Sequence, residues 1–113
     1  MSAAAARGEW GERLAALNYR RDGYRVVERN WSCRHGEIDL ILGQADLIVF
    51  CEVKARARNS HGGPTAAVSP AKQRRLRRAA EEWIRLSRPE VDLFRFDVVA
   101  IVGVTIERYE AAF

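Results

Sequence analysis

The sequence predicts an α/β domain with a mixed sheet between helices, on three observations. Runs of β-branched and large apolar residues recur through the middle of the chain, stretches of helical period stand before and after them, and one of those helices is long enough to carry a crossover. At 113 residues the chain makes one domain around one core. Residues 1–7, a small alanine run included, are expected to fray.

From Gly8 to Arg21 the pattern reads as a helix, and Asp22-Gly23 stops it with a residue suited to the left-handed region. Its wheel is not cleanly amphipathic. Trp10, Leu14 and Leu17 share one side, and Glu12, Ala15, Ala16 and Tyr19 share another. Such a helix packs on two sides, or its second stripe lines a groove or an oligomer contact. Tyr24 to Trp31 alternates as a strand, and Asn30 to His35 reads as a polar break.

Next comes Gly36 to Arg56, which reads as two strands of a hairpin parted at Gly43–Asp46. In the second strand Leu47, Val49, Cys51 and Val53 point one way, and Ile48, Phe50, Glu52 and Lys54 the other. Both faces are apolar, so both should be covered. The run from Ala57 to Pro64 has loop composition. Ser69-Pro70 offers an N-cap followed by proline at the first helical position, and the helix should reach Leu86. Its stripe is Leu76, Ala79, Ala80, Trp83, Ile84 and Leu86. Lys72 and Gln73 fall beside that stripe, facing the sheet, while Arg74, Arg78 and Arg85 face solvent. Phe94 to Val102 is a long strand containing Asp97, and Val104 to Tyr109 a short edge strand. The order is α-β-β-β-α-β with one strand more.

Charge and cysteine usage narrow the function. Nineteen Lys and Arg against fifteen Asp and Glu give a net charge of +4 and a pI of about 9.6, which favours a polyanionic partner. Cys33 and Cys51 form no C-x-x-C pair, and with His35 and His61 they match no zinc spacing. Without a signal-like apolar core or a membrane-length run, the expectation is a cytoplasmic protein with free thiols and no membrane partner.

The charges inside the central strands are the chemical clue. One ion left unpaired in a core costs several kcal/mol, on the order of a domain's whole stability margin. Asp39 and Glu52 lie on adjacent strands, so their carboxylates can converge. Two carboxylates so close repel unless a cation sits between them. Oxygen ligands of this kind suit Mg²⁺ or Mn²⁺, with the Val53 backbone carbonyl completing the site. Such an ion activates water against phosphorus, and Lys54 could orient that water or stabilise developing negative charge. The competing reading is a Glu52–Lys54 salt bridge at a strand end with Asp39 capping a turn, and spacing alone leaves that reading ahead. Glu37 should point with Asp39 and is either a spare ligand or a solvated strand-end charge, the second being favoured. Asp97 reads as a carboxylate bonded to backbone or to Arg95.

Arg56 and Arg58, beside this site, are placed to grip substrate, and the cluster of Lys72, Arg74, Arg75 and Arg78 is either a backbone clamp or a solvated basic helix face. Trp10, Trp31, Trp83 and Tyr24 read as core or interface. With no reading helix and no interleaved aromatic strand, binding should follow nucleic-acid shape and backbone rather than sequence.

Gly36-Glu-Ile-Asp-Leu-Ile and Phe50-Cys-Glu-Val-Lys-Ala-Arg56 resemble the signature of the YraN family of bacterial proteins. These are predicted endonucleases similar to archaeal Holliday junction resolvases, within the PD-(D/E)xK nuclease superfamily. Gly11-Glu12 with Ala15, Gly23-Tyr24, Asn30, Gly62, Lys72 and Arg95-Phe96-Asp97 fit the same pattern across nearly the whole chain. Ile38 stands where the superfamily's name has proline, as is usual in this branch, and Cys51 replaces a more typical valine. The resemblance implies a restriction-endonuclease-like αβββαβ core. It makes Asp39 and Glu52 metal ligands and Lys54 the catalytic lysine. Glu12 would complete the acidic cluster, and Lys72 or Gln73 would assist at the phosphate.

The expected function is therefore metal-dependent hydrolysis of DNA, with branched or structured DNA in repair or recombination as the candidate substrate, and a homodimer would suit a two-fold substrate. Two rivals stand beside it. One is a non-catalytic nucleic-acid-binding protein with a remnant site, which would hold DNA and yield no products. The other is an interaction protein that uses the two-sided first helix.

Overall fold

The computed structural model describes residues 3–56 and 68–113, with backbone alone for 3–7 and 56. Helix α1 (Ala3–Arg21) is followed by strands β1 (Arg25–Cys33), β2 (Gly36–Gln44) and β3 (Leu47–Arg56), helix α2 (Pro70–Ser87), and strands β4 (Leu93–Val102) and β5 (Thr105–Tyr109). The five strands form one mixed sheet in chain order, with α1 packed on one face and α2 on the other. Only β3 and β4 run parallel, because α2 lies between them in sequence and carries the chain back across the sheet. This architecture is compatible with a restriction-endonuclease-like core. No helix among the described residues is long and apolar enough to cross a membrane.

Burial on both faces follows the alternation in β3. Val49 and Cys51 pack under α1 with Leu40, Leu42, Ala15, Ala16 and Tyr19, while Ile48 and Phe50 pack under α2 with Leu76, Ala79, Ala80 and Trp83. Ser69 caps α2 as its sequence requires, its hydroxyl accepting from the Lys72 amide at 3.1 Å. At the other end Arg88 takes a left-handed conformation and its amide closes on the Ile84 carbonyl at 2.9 Å.

Four expectations need correction. Helix α1 starts at Ala3, not Gly8, because an alanine run favours the helix more than any other residue does. The break expected from Asn30 to His35 narrows to Arg34 and His35: β1 is an exposed edge strand, so polar side chains do not interrupt it. The break at Gly43–Asp46 narrows to Ala45 and Asp46. Gly43 stays in β2, where the Arg25 guanidinium lies so close that a Cβ would meet it at 2.7 Å. Leu86 leaves the buried stripe of α2 and is 59% exposed, since the helix has by then run past the sheet.

Asp97 is fully buried on β4 under α1. Its carboxylate accepts two bonds from Arg95 at 2.7 and 2.8 Å, one from the Tyr19 hydroxyl at 2.7 Å, and one from the Ala111 amide at 3.0 Å. Those bonds satisfy the carboxylate, which is how a polar group can sit fully inside the core. The Cys51 thiol beside it is pushed well above its usual range by burial and stays protonated.

Candidate metal centre

The acidic site sits where the β2–β3 ladder ends. Pairing runs from Gln44↔Leu47 to Leu40↔Cys51 and stops there, so the next two positions, Asp39 and Glu52, part from one another. In place of a backbone bond, the Val53 amide donates to Asp39 Oδ2 at 2.8 Å. The pleat also breaks at Asp39. Ile38 packs under α2 but Leu40 under α1, although alternation would put both on one face. Across the strand, Asn30 takes a left-handed conformation (φ 48°), between the pairs Arg29↔Leu40 and Trp31↔Ile38. Irregularities of this kind re-aim a side chain, and here the Asp39 carboxylate turns towards β3.

Four carboxylates meet around this opening. Glu12, Glu37 and Asp39 each bring an oxygen within 4.8 Å of the other two. Asp39 also lies against Glu52, close enough to share a hydrogen bond with it. Glu12 is delivered by α1, which can approach closely because Gly11 precedes it: a Cβ there would meet Ile101 Cδ1 at 3.2 Å. Asn30 then holds the Glu12 carboxylate at 3.0 Å. Glu52 is buried and, among the described residues, takes one ion pair, from Lys72 Nζ of α2 at 3.2 Å.

Asp39 and Glu52 form a ridge shared by two clefts. One, of about 210 Å³, opens towards α2 and is lined by Gly36, Glu37, Lys72, Arg75 and Leu76 besides the ridge. The other, of about 200 Å³, opens towards α1 and includes Gly11, Glu12, Val53 and Lys54. Burial, and then the neighbouring Glu52 charge, push the Asp39 carboxyl up to about 7, against the lowering pull of the Val53 N–H. A half-buried set of mutually repelling carboxylates, all oxygen donors in a wet cleft, fits a hard divalent cation.

Of the residues expected at the site, Asp39, Glu52, Lys54, Glu12, Lys72 and Arg75 come together around these clefts. Gln73 does not: its side-chain amide donates to the Val68 carbonyl at 3.0 Å and braces the start of α2. Arg74 and Arg78 lie on the exposed side of the helix. Arg56 closes β3, and Arg58, His61 and Gly62 lie outside the described residues. Glu37 is the residue that sequence reasoning set aside. The i, i+2 spacing that aims it with Asp39 was the available signal.

Comparison with known proteins gives a consistent relationship. A family model described as uncharacterised protein family UPF0102 matches residues 11–101. A UPF0102 protein of Rhodococcus jostii (strain RHA1) is 47% identical over 84% of this chain and 80% of its own. One from Ralstonia pickettii (strain 12J) is 46% identical over 96% of this chain and 90% of its own. One from Syntrophus aciditrophicus (strain SB) is 41% identical over 94% and 87%.

Proposed function

The chain belongs to the uncharacterised protein family UPF0102, and from its site we propose that it is a metal-dependent endonuclease of the PD-(D/E)xK kind, cutting phosphodiester bonds in DNA, structured or branched DNA included. The observation that carries this reading is the meeting of Asp39 and Glu52 where β2 and β3 part, with Lys54 two residues further along the same strand.

Asp39 and Glu52 would hold Mg²⁺ or Mn²⁺ together with the Val53 carbonyl. The Val53 N–H already faces Asp39, and in an extended strand a residue's carbonyl leaves by the same edge as its amide. The bound ion supplies a Lewis acid for the phosphoryl oxygen and acidifies the attacking water. Glu12 in the α1 cleft and Glu37 in the α2 cleft widen the acidic set and can orient that water. Hydrolysis joins the water oxygen to phosphorus and expels the sugar oxygen, which leaves with a proton. Lys54, which makes no ion pair among the described residues, places positive charge beside the cleft where negative charge grows. Lys72 is steadied on Glu52, and Arg75 in the cleft wall presents a guanidinium fork to a neighbouring phosphate. The net charge of +4 supports a polyanionic substrate.

The test is incubation with labelled duplex, flap, single-stranded and four-way DNA in Mn²⁺. Products should depend on the divalent ion and vanish in Asp39→Ala and Glu52→Ala variants that remain folded. Undiminished metal-dependent cleavage by either variant overturns the assignment. Retention of DNA without products under every divalent ion refutes turnover and leaves a binding protein.

A further inference from the structure

Between α2 and β4, away from the acidic clefts, four phenylalanines form a stack. Phe94 and Phe96 alternate along β4 on the α2 face, with Phe50 on β3 and Phe113, the final residue of the sequence. Phe50 lies 6.1 Å from Phe94 with planes 20° apart and 5.4 Å from Phe96 at 30°, and Phe96 lies 5.2 Å from Phe113 at 28°. Core aromatics often meet edge to face, as Phe50 and Trp83 do at 78°. Near-parallel rings instead leave a face to which another flat ring can be added. The stack is not sealed: Phe94 is 38% exposed, and a groove of about 130 Å³ opens among Phe50, Phe94, Phe96, Ala80 and Ile84, with one basic residue, Arg77, and one acidic residue, Glu81, in its lining.

The rim of this groove is charged. The Arg77 guanidinium lies over the Phe96 ring at 4.8 Å and the Phe113 ring at 5.5 Å. It makes no ion pair among the described residues, and neither do Arg74, Arg75 and Arg78. A guanidinium held over aromatic rings by its charge keeps its N–H donors available to an anion. An apolar slot for a flat ring, with the Arg77 guanidinium at its wall and Arg74 and Arg78 exposed on the same helix, matches a chain that alternates aromatic rings with negative charge. That is a nucleic-acid strand whose bases are not engaged in pairing. A duplex cannot present a base here, since its bases are stacked and paired inside.

The groove is also in register with the acidic site. On β4, Val98 pairs with Glu52, Phe96 with Phe50 and Phe94 with Ile48. Phe96 therefore sits about 7 Å and Phe94 about 13 Å back from the level of Glu52 at ~3.3 Å per strand residue. Helix α2 links the two places, turning Arg75 into the acidic cleft and Arg77 onto the rings.

We propose that this groove takes a base from an unpaired strand, within a few nucleotides of the cleavage position. The preferred substrate is then a junction between paired and unpaired DNA. This inference rests on the nuclease reading only for what happens at the acidic site, and the base-binding step is tested without cleavage.

The experiment measures binding of labelled oligothymidylate, matched duplex and flapped duplex in Ca²⁺ without Mg²⁺ or Mn²⁺. Phe94→Leu keeps the apolar contact but removes the aromatic face, and Arg77→Lys keeps the charge but removes the plane. Each should weaken oligothymidylate and flap binding about ten-fold, the usual scale for one stacked base, and leave duplex binding within two-fold or so. Unchanged melting temperatures establish that the variants are folded. Equal loss on all three probes overturns the proposal by making the groove a general electrostatic surface, and so does wild-type affinity for oligothymidylate in both variants. Selective loss in a protein that never cleaves upholds the groove while the nuclease reading fails.

Discussion

Replacing Asp39 by asparagine should stabilise the metal-free protein. The amide keeps the shape, can still accept from the Val53 N–H, and can donate to Glu52, but it removes one of two adjoining negative charges. The magnitude follows from the displacement of the Asp39 carboxyl from 3.8 to about 7. Below 3.8 both the folded and unfolded states hold this proton. Between there and about 7 only the folded state holds it, so the folded state binds more protons and stability falls as pH rises. The difference approaches 4 kcal/mol at ~1.36 kcal/mol per pH unit, and because the carboxyl still touches cleft water about 2–4 kcal/mol is the expected range. In EDTA at pH 8, Asp39→Asn should therefore shift the urea midpoint upwards by roughly 1–2 M relative to wild type. The two proteins should converge near pH 4. Added Mn²⁺ should close the gap at pH 8 by stabilising wild type alone. A variant no more stable than wild type at pH 8 in EDTA would refute the argument that these carboxylates strain the metal-free fold.

Four further outcomes follow. Glu37→Gln should weaken Mn²⁺ binding roughly ten-fold by titration calorimetry, the scale of a lost supporting carboxylate, and an unchanged isotherm would leave Glu37 out of the site. Tyr19→Phe should cost about 1–3 kcal/mol in urea unfolding, because it strips one of four donors from the buried Asp97 carboxylate. Ser69→Ala should cost about 1 kcal/mol, since it uncaps α2 at the end that carries Lys72 and Arg75. Duplex retention should fall with a log–log salt slope of about 0.9 for each phosphate neutralised, and Arg75→Gln should reduce that slope by about one contact.

The core of the fold was legible because β3 advertises burial on both faces, and because Ser69-Pro70 announces a crossover helix. Contributions from longer-range geometry were not. Nothing in the pattern of Gly36 to Gln44 marks the slip at Asp39, which depends on Asn30 across the ladder. Glu37 looked like an ordinary strand-end charge because its neighbour Glu12 belongs to a helix two elements away. The wheel of α2 correctly aimed Lys72 at the sheet, where it meets Glu52. For Gln73, half-buried like Lys72, the wheel does not contain the local Val68 carbonyl that takes its amide. Single aromatic residues on β4 gave no sign of a stack, since Phe50 and Phe113 join it from elsewhere in the chain.

The parallel β3–β4 pairing sets an order of events during folding. The meander from β1 to β3 closes through two short turns, so its contacts form with little loss of chain entropy. Strand β4 must wait until the whole crossover has been drawn in, and pairings of such sequence separation are slow. Glu37, Asp39 and Glu52 are thus gathered early, whereas the Lys72 ammonium arrives with the last step. An ion present from the start could act as a template for the half-formed sheet, and refolding in Mn²⁺ would then be faster as well as more complete.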